Sequence, residues 1–210
     1  MKKGVFYFSI ALAFLLWYVM FVLRPFNFWL MMAFSTSLLS LIVLWIGKPF
    51  AEKGEWRWSN VLIGVVSALV LYGVFWIGNQ VLVLGERLLP QLISSRPENL
   101  ASIYGNRGSL APHWIALLLF FPIGFGEEFF WRGLVQNRFS TRLGRWRAFF
   151  LTTFLYTAVH FATGNLVLLL AAVTCGLYWG ALYAWRGALL PVLISHMIWD
   201  PLIFVFFPVQ

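Results

Sequence analysis

Phe121-Pro122-Ile123-Gly124-Phe125-Gly126-Glu127-Glu128-Phe129-Phe130-Trp131-Arg132-Gly133 sets two adjacent carboxylates and a guanidinium inside one of the most apolar parts of the chain. An ionisable group near the middle of a bilayer costs about 2.5 to 3.5 kcal/mol on insertion scales, so such residues face a protein interior or a water-filled cavity and mark function. Composition makes the bilayer the right reference. The 210 residues are 61% hydrophobic, 20% aromatic and 10% charged, whereas a soluble domain is about 25% charged. The fold class is therefore all-α, a polytopic transmembrane helix bundle of about seven spans, with the intramembrane acidic residues and histidines in the last four.

Outward from that stretch, the spans read as Gly4 to Leu23, Phe26 to Ile46, Val61 to Leu84, Trp114 to Gln136, Ala148 to Thr163, Leu166 to Trp185 and Ala188 to Phe206. The first follows Lys2 and Lys3 but is about twice the length of a signal-peptide core and ends in Arg24-Pro25, so it reads as an uncleaved span. Residues 1–84 form three N-terminal spans, 85–111 a long polar or interfacial loop, and 112–210 a four-span core. The loop carries Glu86, Arg87, Arg96, Glu98 and Arg107 and cannot sit in hydrocarbon. Leu88, Leu89, Leu92 and Ile93 offer an amphipathic helix at the interface, and the loop serves either as a gate or as a plain connector.

The net charge of +8 is spread singly over short loops, which favours anionic lipid headgroups over nucleic acid as the partner. With the N-terminus inside, Lys2, Lys3, Lys48, Lys53, Arg57, Arg138, Arg142, Arg145, Arg147 and Arg186 are cytoplasmic, and Arg24, Arg87, Arg96 and Arg107 lie outside. Ten against four obeys the positive-inside rule. Compact loops point to a bacterial cytoplasmic membrane. Cys175 is the sole cysteine, so no internal disulfide forms.

Three of the seven acidic residues, Glu127, Glu128 and Asp200, and two of the three histidines, His160 and His196, fall within spans. Glu128 and Arg132 are four apart and share a helix face, as do His196 and Asp200, whereas Glu127 lies about 100° round from Glu128 and points elsewhere. Measured from the cytoplasmic helix ends at about 1.5 Å per residue, Glu127, His160, His196 and Asp200 lie about 14, 16, 10 and 16 Å deep. Three helices thus bring two carboxylates and two imidazoles to one level, as action on one substrate requires.

These residues resemble the CAAX-protease and bacteriocin-processing (CPBP, or Abi) intramembrane proteases, which include the Rce1-like prenyl-protein endopeptidases, over roughly the last hundred residues. The family's two glutamates, three residues and an arginine read as Glu127-Glu128-Phe129-Phe130-Trp131-Arg132. Its aromatic residue, usually phenylalanine, three residues and histidine read as Tyr156-Thr157-Ala158-Val159-His160. Its histidine, three residues and asparagine or aspartate read as His196-Met197-Ile198-Trp199-Asp200, preceded by Arg186-Gly187-Ala188-Leu189-Leu190-Pro191. The resemblance implies an intramembrane endopeptidase acting on a membrane-associated or lipid-modified protein, prenylated or sorting-tagged. In it Glu127 and His160 hold and deprotonate a water, His196 oriented by Asp200 stabilises the oxyanion, and Glu128 with Arg132 forms a buried supporting pair. It leaves glutamate-type and metal-dependent chemistry both open. A divalent metal such as zinc would fall to Glu127, His160 and His196, although no His-Glu-x-x-His helix is present.

Two other function classes fit the same residues. A proton-coupled transporter uses intramembrane Glu, His and Asp as a relay, but the first three spans carry no acidic residue in their interiors. A catalytically silent immunity or binding protein would keep the fold. All motif positions are filled, which favours the enzyme.

Overall fold

The computed structural model describes residues 3–46, 55–88, 95–108 and 110–209, with Arg107 described for its backbone alone. Among these residues the chain is helical and contains no strand. Helices α1 (Lys3–Leu23), α2 (Phe28–Ile46) and α3 (Trp58–Leu88) come first, then a short α4 (Arg96–Tyr104). Helices α5 (Pro112–Leu143), α6 (Arg145–Ala158), α7 (Leu166–Arg186) and α8 (Leu190–Phe206) complete the bundle. Five of them, α1, α2, α3, α5 and α7, are long and apolar enough to cross a membrane.

Each expected span meets one helix, with shifted ends. Helix α6 has 14 residues, about 21 Å against a hydrocarbon core of about 30 Å. It stops at Ala158, short of the expected Thr163, and a 3₁₀ turn at Phe161–Thr163 leads into Gly164, whose φ of +62° turns the chain. Asn165 then caps α7 by accepting from the Leu168 N–H at 2.9 Å. Residues 85–88 of the expected loop extend α3, and 96–104 of it form α4. Leu89, Leu92 and Ile93 of the expected amphipathic helix lie outside the described residues, as do Lys2, Lys48, Glu52 and Lys53.

Because lipid is as apolar as leucine, these helices associate through close packing and polar contacts rather than through hydrophobic transfer. Helix α1 turns Phe6, Ser9, Ala13 and Trp17 inward at a spacing of three and four, and leaves Phe8 and Leu15 on the outside. Helix α3 packs along α8, with Asn60, Gly64, Ser67, Ala68 and Leu71 on its buried side. Helix α5 is broken at Phe121, whose φ of −153° and ψ of 127° are non-helical, immediately before Pro122 in a cis peptide bond. The two glutamates follow in the second half of the helix. At Gly126, beside them, an added Cβ would lie 2.8 Å from Thr36 Cβ, so α2 can run tightly against this half only because no side chain intervenes.

Glu55, ahead of α3, is buried and fixes the start of α8. Its carboxylate accepts from the Leu189 N–H at 2.8 and 2.9 Å and from the Leu190 N–H at 2.9 Å. A negative group there satisfies orphan donors and complements the helix dipole. Asn60 Nδ2 donates to the Glu55 carbonyl at 2.8 Å, and Arg186 Nη2 donates to Asn60 Oδ1 at 2.8 Å, so the ends of α7 and α8 are tied to α3.

The α3–α8 contact gives a direct test. A Cβ at Gly64 would meet Ile194 Cβ at 2.7 Å and the Pro191 carbonyl at 3.0 Å, whereas one at Gly73 meets nothing within 4 Å. Gly64→Val is expected to cost about 1–3 kcal/mol, visible as a lowered apparent melting temperature in detergent. Gly73→Val, on the same helix, should leave that temperature unchanged.

Candidate active site

Six ionisable side chains, from α5, α8 and the turn that follows α6, gather at the centre of the bundle, and Arg132 is the hub of one group. It is wholly buried, and its Nη1 donates to Glu128 Oε1 at 2.7 Å across one helical turn. Its Nη2 donates to the carbonyls of Cys175 and Gly176 at 3.4 and 3.3 Å. The guanidinium lies 4.9 Å from the Tyr156 ring centre and 5.9 Å from that of Trp179. Helices α5, α6 and α7 thus meet on one cation.

Glu128 Oε1 has a second partner, His196 Nδ1 on α8, at 2.9 Å. The other ring nitrogen, Nε2, faces Asp200 Oδ1 at 3.2 Å. The imidazole lies nearly parallel to Trp179, 3.7 Å between centres, and Trp179 is held by its Nε1–H to Ser195 Oγ at 3.0 Å. Both expected i, i+4 pairs are present, and Glu128 joins them. His196 between two carboxylates can donate to both only as an imidazolium. With Asp200 protonated, it can accept from that acid instead.

Glu127 turns the other way, as its angle round the helix requires. Its Oε2 accepts from the Tyr156 hydroxyl at 3.0 Å. This bond gives a use to the tyrosine that stands where phenylalanine is usual. His160, one turn on from Tyr156, has its Nδ1 2.9 Å from the Tyr156 carbonyl, and its Nε2 receives the Trp17 indole N–H at 3.3 Å. A carbonyl only accepts and an indole N–H only donates, so the partners select the tautomer with the hydrogen on Nδ1. The hydrogen bonds of Glu127 and His160 therefore run to Tyr156 and Trp17 rather than to each other.

A cavity of about 110 Å³, room for several waters, is lined by Glu127, Tyr156, His160, His196 and Asp200. Glu128 and Arg132 stand behind this wall. The rim includes Arg24 after α1, Ser102 and Asn106 at α4, and Thr163 and Asn165 before α7. Helix α4 is strapped across this end of the bundle. Asn165 Nδ2 donates to the Asn99 carbonyl and Ser102 Oγ at 2.9 Å each, Arg24 reaches Asn106 at 3.3 Å, and Arg96 donates to Asn79 at 2.8 Å.

Among the described residues no three His, Cys, Asp or Glu side chains gather as ligands for a metal. Both nitrogens of His160 and both of His196 already face protein partners. Glu127, His160 and His196 as arranged thus do not fit the tetrahedral donor set of zinc.

Trp17 and Glu55 are the participants that sequence reasoning missed. Trp17 is one of twelve tryptophans, and its partner lies 143 positions away, so only the spacing of the inward residues of α1 marks it. Replacing its indole by phenylalanine keeps a ring and removes the N–H. Trp17→Phe is expected to make His160 several-fold more reactive to diethylpyrocarbonate, because the Nε2 lone pair is uncovered, while the exposed His113 reacts unchanged. Mass-spectrometric mapping of modified peptides measures both.

Comparison with known proteins places this constellation. Residues 109–202 match the model of the type II CAAX prenyl endopeptidases, Rce1-like. The matched segment runs from the start of α5 to the start of the last turns of α8 and contains every one of the six expected site residues. No curated protein and no solved structure matches the chain. The segment that builds the site, in an integral membrane helix bundle, is thus similar to the Rce1-like CAAX prenyl endopeptidases.

Proposed function

We propose that this protein is an intramembrane endopeptidase that hydrolyses a peptide bond of a lipid-modified or otherwise membrane-anchored protein with a water activated by Glu127. The observation that carries the reading is that Glu127, His160, His196 and Asp200, from α5, α8 and the turn after α6, line one cavity enclosed by apolar spans. Such a cavity holds water next to a carboxylate where the surroundings exclude it, and charges act more strongly there than in bulk solvent.

In this mechanism Glu127 takes a proton from the water as its oxygen attacks the peptide carbonyl, and returns it to the leaving amine. A water that replaces the Trp17 N–H at His160 Nε2 is held between imidazole and carboxylate. His196, gripped by Glu128 and Asp200 and stacked on Trp179, presents a fixed polar wall to the developing charge. Glu128 and Arg132 act through His196 and the backbone of α7, as positioning residues. The chemistry we propose is of the glutamate type, with Glu127 as the base, and no step in it passes through a metal.

The rim lies at the opposite end of the bundle from Arg138, Arg142, Arg145, Arg147 and Arg186. With those arginines in the cytoplasm, the cavity opens towards the outer leaflet of a bacterial cytoplasmic membrane and the N-terminus lies inside. A substrate enters from that leaflet.

Purified protein in liposomes, incubated with a library of membrane-anchored peptides, tests this. Cleavage is expected to fall by about 10² to 10⁴ in Glu127→Gln and to be lost in His160→Ala, and to persist in the wild type with 1,10-phenanthroline. Full cleavage by Glu127→Gln would overturn the mechanism, and loss on chelation would replace it with a metal-dependent one.

A further inference from the structure

Acyl transfer to water needs hydrogen-bond donors aimed at the carbonyl oxygen as it becomes an oxyanion, and removing one such donor costs about 10²–10³ in kcat. Among the described residues the indole N–H groups of Trp29 and Trp199 line the cavity without a hydrogen-bond partner, but neither is bonded to the proposed base, and the ionisable residues of the wall offer no free donor. Glu127 and Asp200 are carboxylates. His160 directs Nδ1 at the Tyr156 carbonyl and offers Nε2 as an acceptor. His196 has a carboxylate at each nitrogen. The Tyr156 hydroxyl differs: it lines the cavity, and the acceptor of its hydrogen is Glu127, the proposed base.

The tyrosine is also rigidly held. Its ring meets Trp131 edge-on at 5.6 Å and lies under the Arg132 guanidinium, and its carbonyl is bonded by His160. Only the hydroxyl hydrogen is left to turn. Its alternatives depend on the charge of Glu127, because a carboxylate is a strong acceptor and the neutral acid formed after proton uptake is a weaker one.

We propose that Tyr156 is a catalytic residue of this site, whose hydroxyl donates to Glu127 in the resting enzyme and to the oxyanion of the tetrahedral intermediate during turnover. The assignment rests on the reading of Glu127 as general base. As the bond from water oxygen to the carbonyl carbon forms, one water proton passes to Glu127 and the carbonyl π electrons move to oxygen. Glu127, now neutral, competes less for the tyrosine hydrogen, and the hydroxyl turns to the new anion without giving up its proton. On collapse the oxyanion pair re-forms the carbonyl, the C–N bond breaks, and the proton on Glu127 goes to the departing nitrogen. Tyr156 then returns to the regenerated carboxylate.

Tyr156→Phe removes the hydroxyl and keeps the packed ring. With a cleavable membrane-anchored peptide, kcat is expected to fall by about 10²–10³ while KM stays within about threefold. A peptidyl phosphinate, whose tetrahedral oxygens mimic the intermediate, should bind this variant more weakly by a like factor, and a non-cleavable peptide of the same sequence equally well. The phosphinate measurement requires no turnover, so it decides the matter even where the variant is inactive. Unchanged phosphinate affinity, or kcat within about threefold of wild type while Glu127→Gln is inactive, would overturn the role of Tyr156 alone. An active Glu127→Gln enzyme would remove the base on which it depends.

Discussion

Glu128 and Arg132 are both fully buried, 2.7 Å apart on one turn of α5. Neither charge can return to water within the bundle, so each depends on the other, and removing one partner of such a pair typically costs about 3–5 kcal/mol. The pair does more than neutralise itself. Through the guanidinium it holds two carbonyls of α7 and faces the rings of Tyr156 and Trp179, and through the carboxylate it holds His196 of α8. Four helices are thereby set in rotation and depth by one interaction, in an environment where apolar packing alone would let them slide. Glu128 Oε2 has no hydrogen-bond partner among the described residues.

The same geometry separates the site into two layers. The rear layer, Arg132, Glu128, His196 and Asp200, is a chain of charged contacts that shares its groups and leaves few of them free. The front layer, Trp17, His160, Tyr156 and Glu127, is a chain of single hydrogen bonds, each of which a water or a peptide can replace. The proposed chemistry uses the front layer for proton movement and the rear layer for rigidity. Tyr156 belongs to both, through its hydroxyl and its ring.

What sequence reasoning could reach follows from which patterns survive in a membrane protein. Spacing along one helix is independent of environment, so Glu128 with Arg132 and His196 with Asp200 could be paired from the chain alone, and the opposed direction of Glu127 with them. Counting residues from the charged helix ends brought α5, α6 and α8 to one level. The direction each helix turns its faces was harder to read, because α1, α2 and α3 are apolar on every side and carry almost no amphipathic signal. The bond from Trp17 to His160 depends on that rotation, and so does the joining of the two i, i+4 pairs through Glu128. Glu55 stands in a polar connecting segment, where nothing along the chain marks it as the carboxylate that holds the start of α8. Tyr156 could be singled out as a departure from phenylalanine, but its acceptor lies on another helix. The short α6 ends where the chain must turn at Gly164 and deliver Asn165 to cap α7, a local requirement that hydropathy does not record.

The central claim is that Glu128 and His196 act as one unit which fixes the wall of the cavity. A double-mutant cycle on kcat/KM measures it, with Glu128→Gln, His196→Asn and the double variant in the same liposome assay. The account predicts that each single substitution lowers kcat/KM by at least about a hundredfold and that the double variant is little worse than either. Independent, multiplying losses would contradict it.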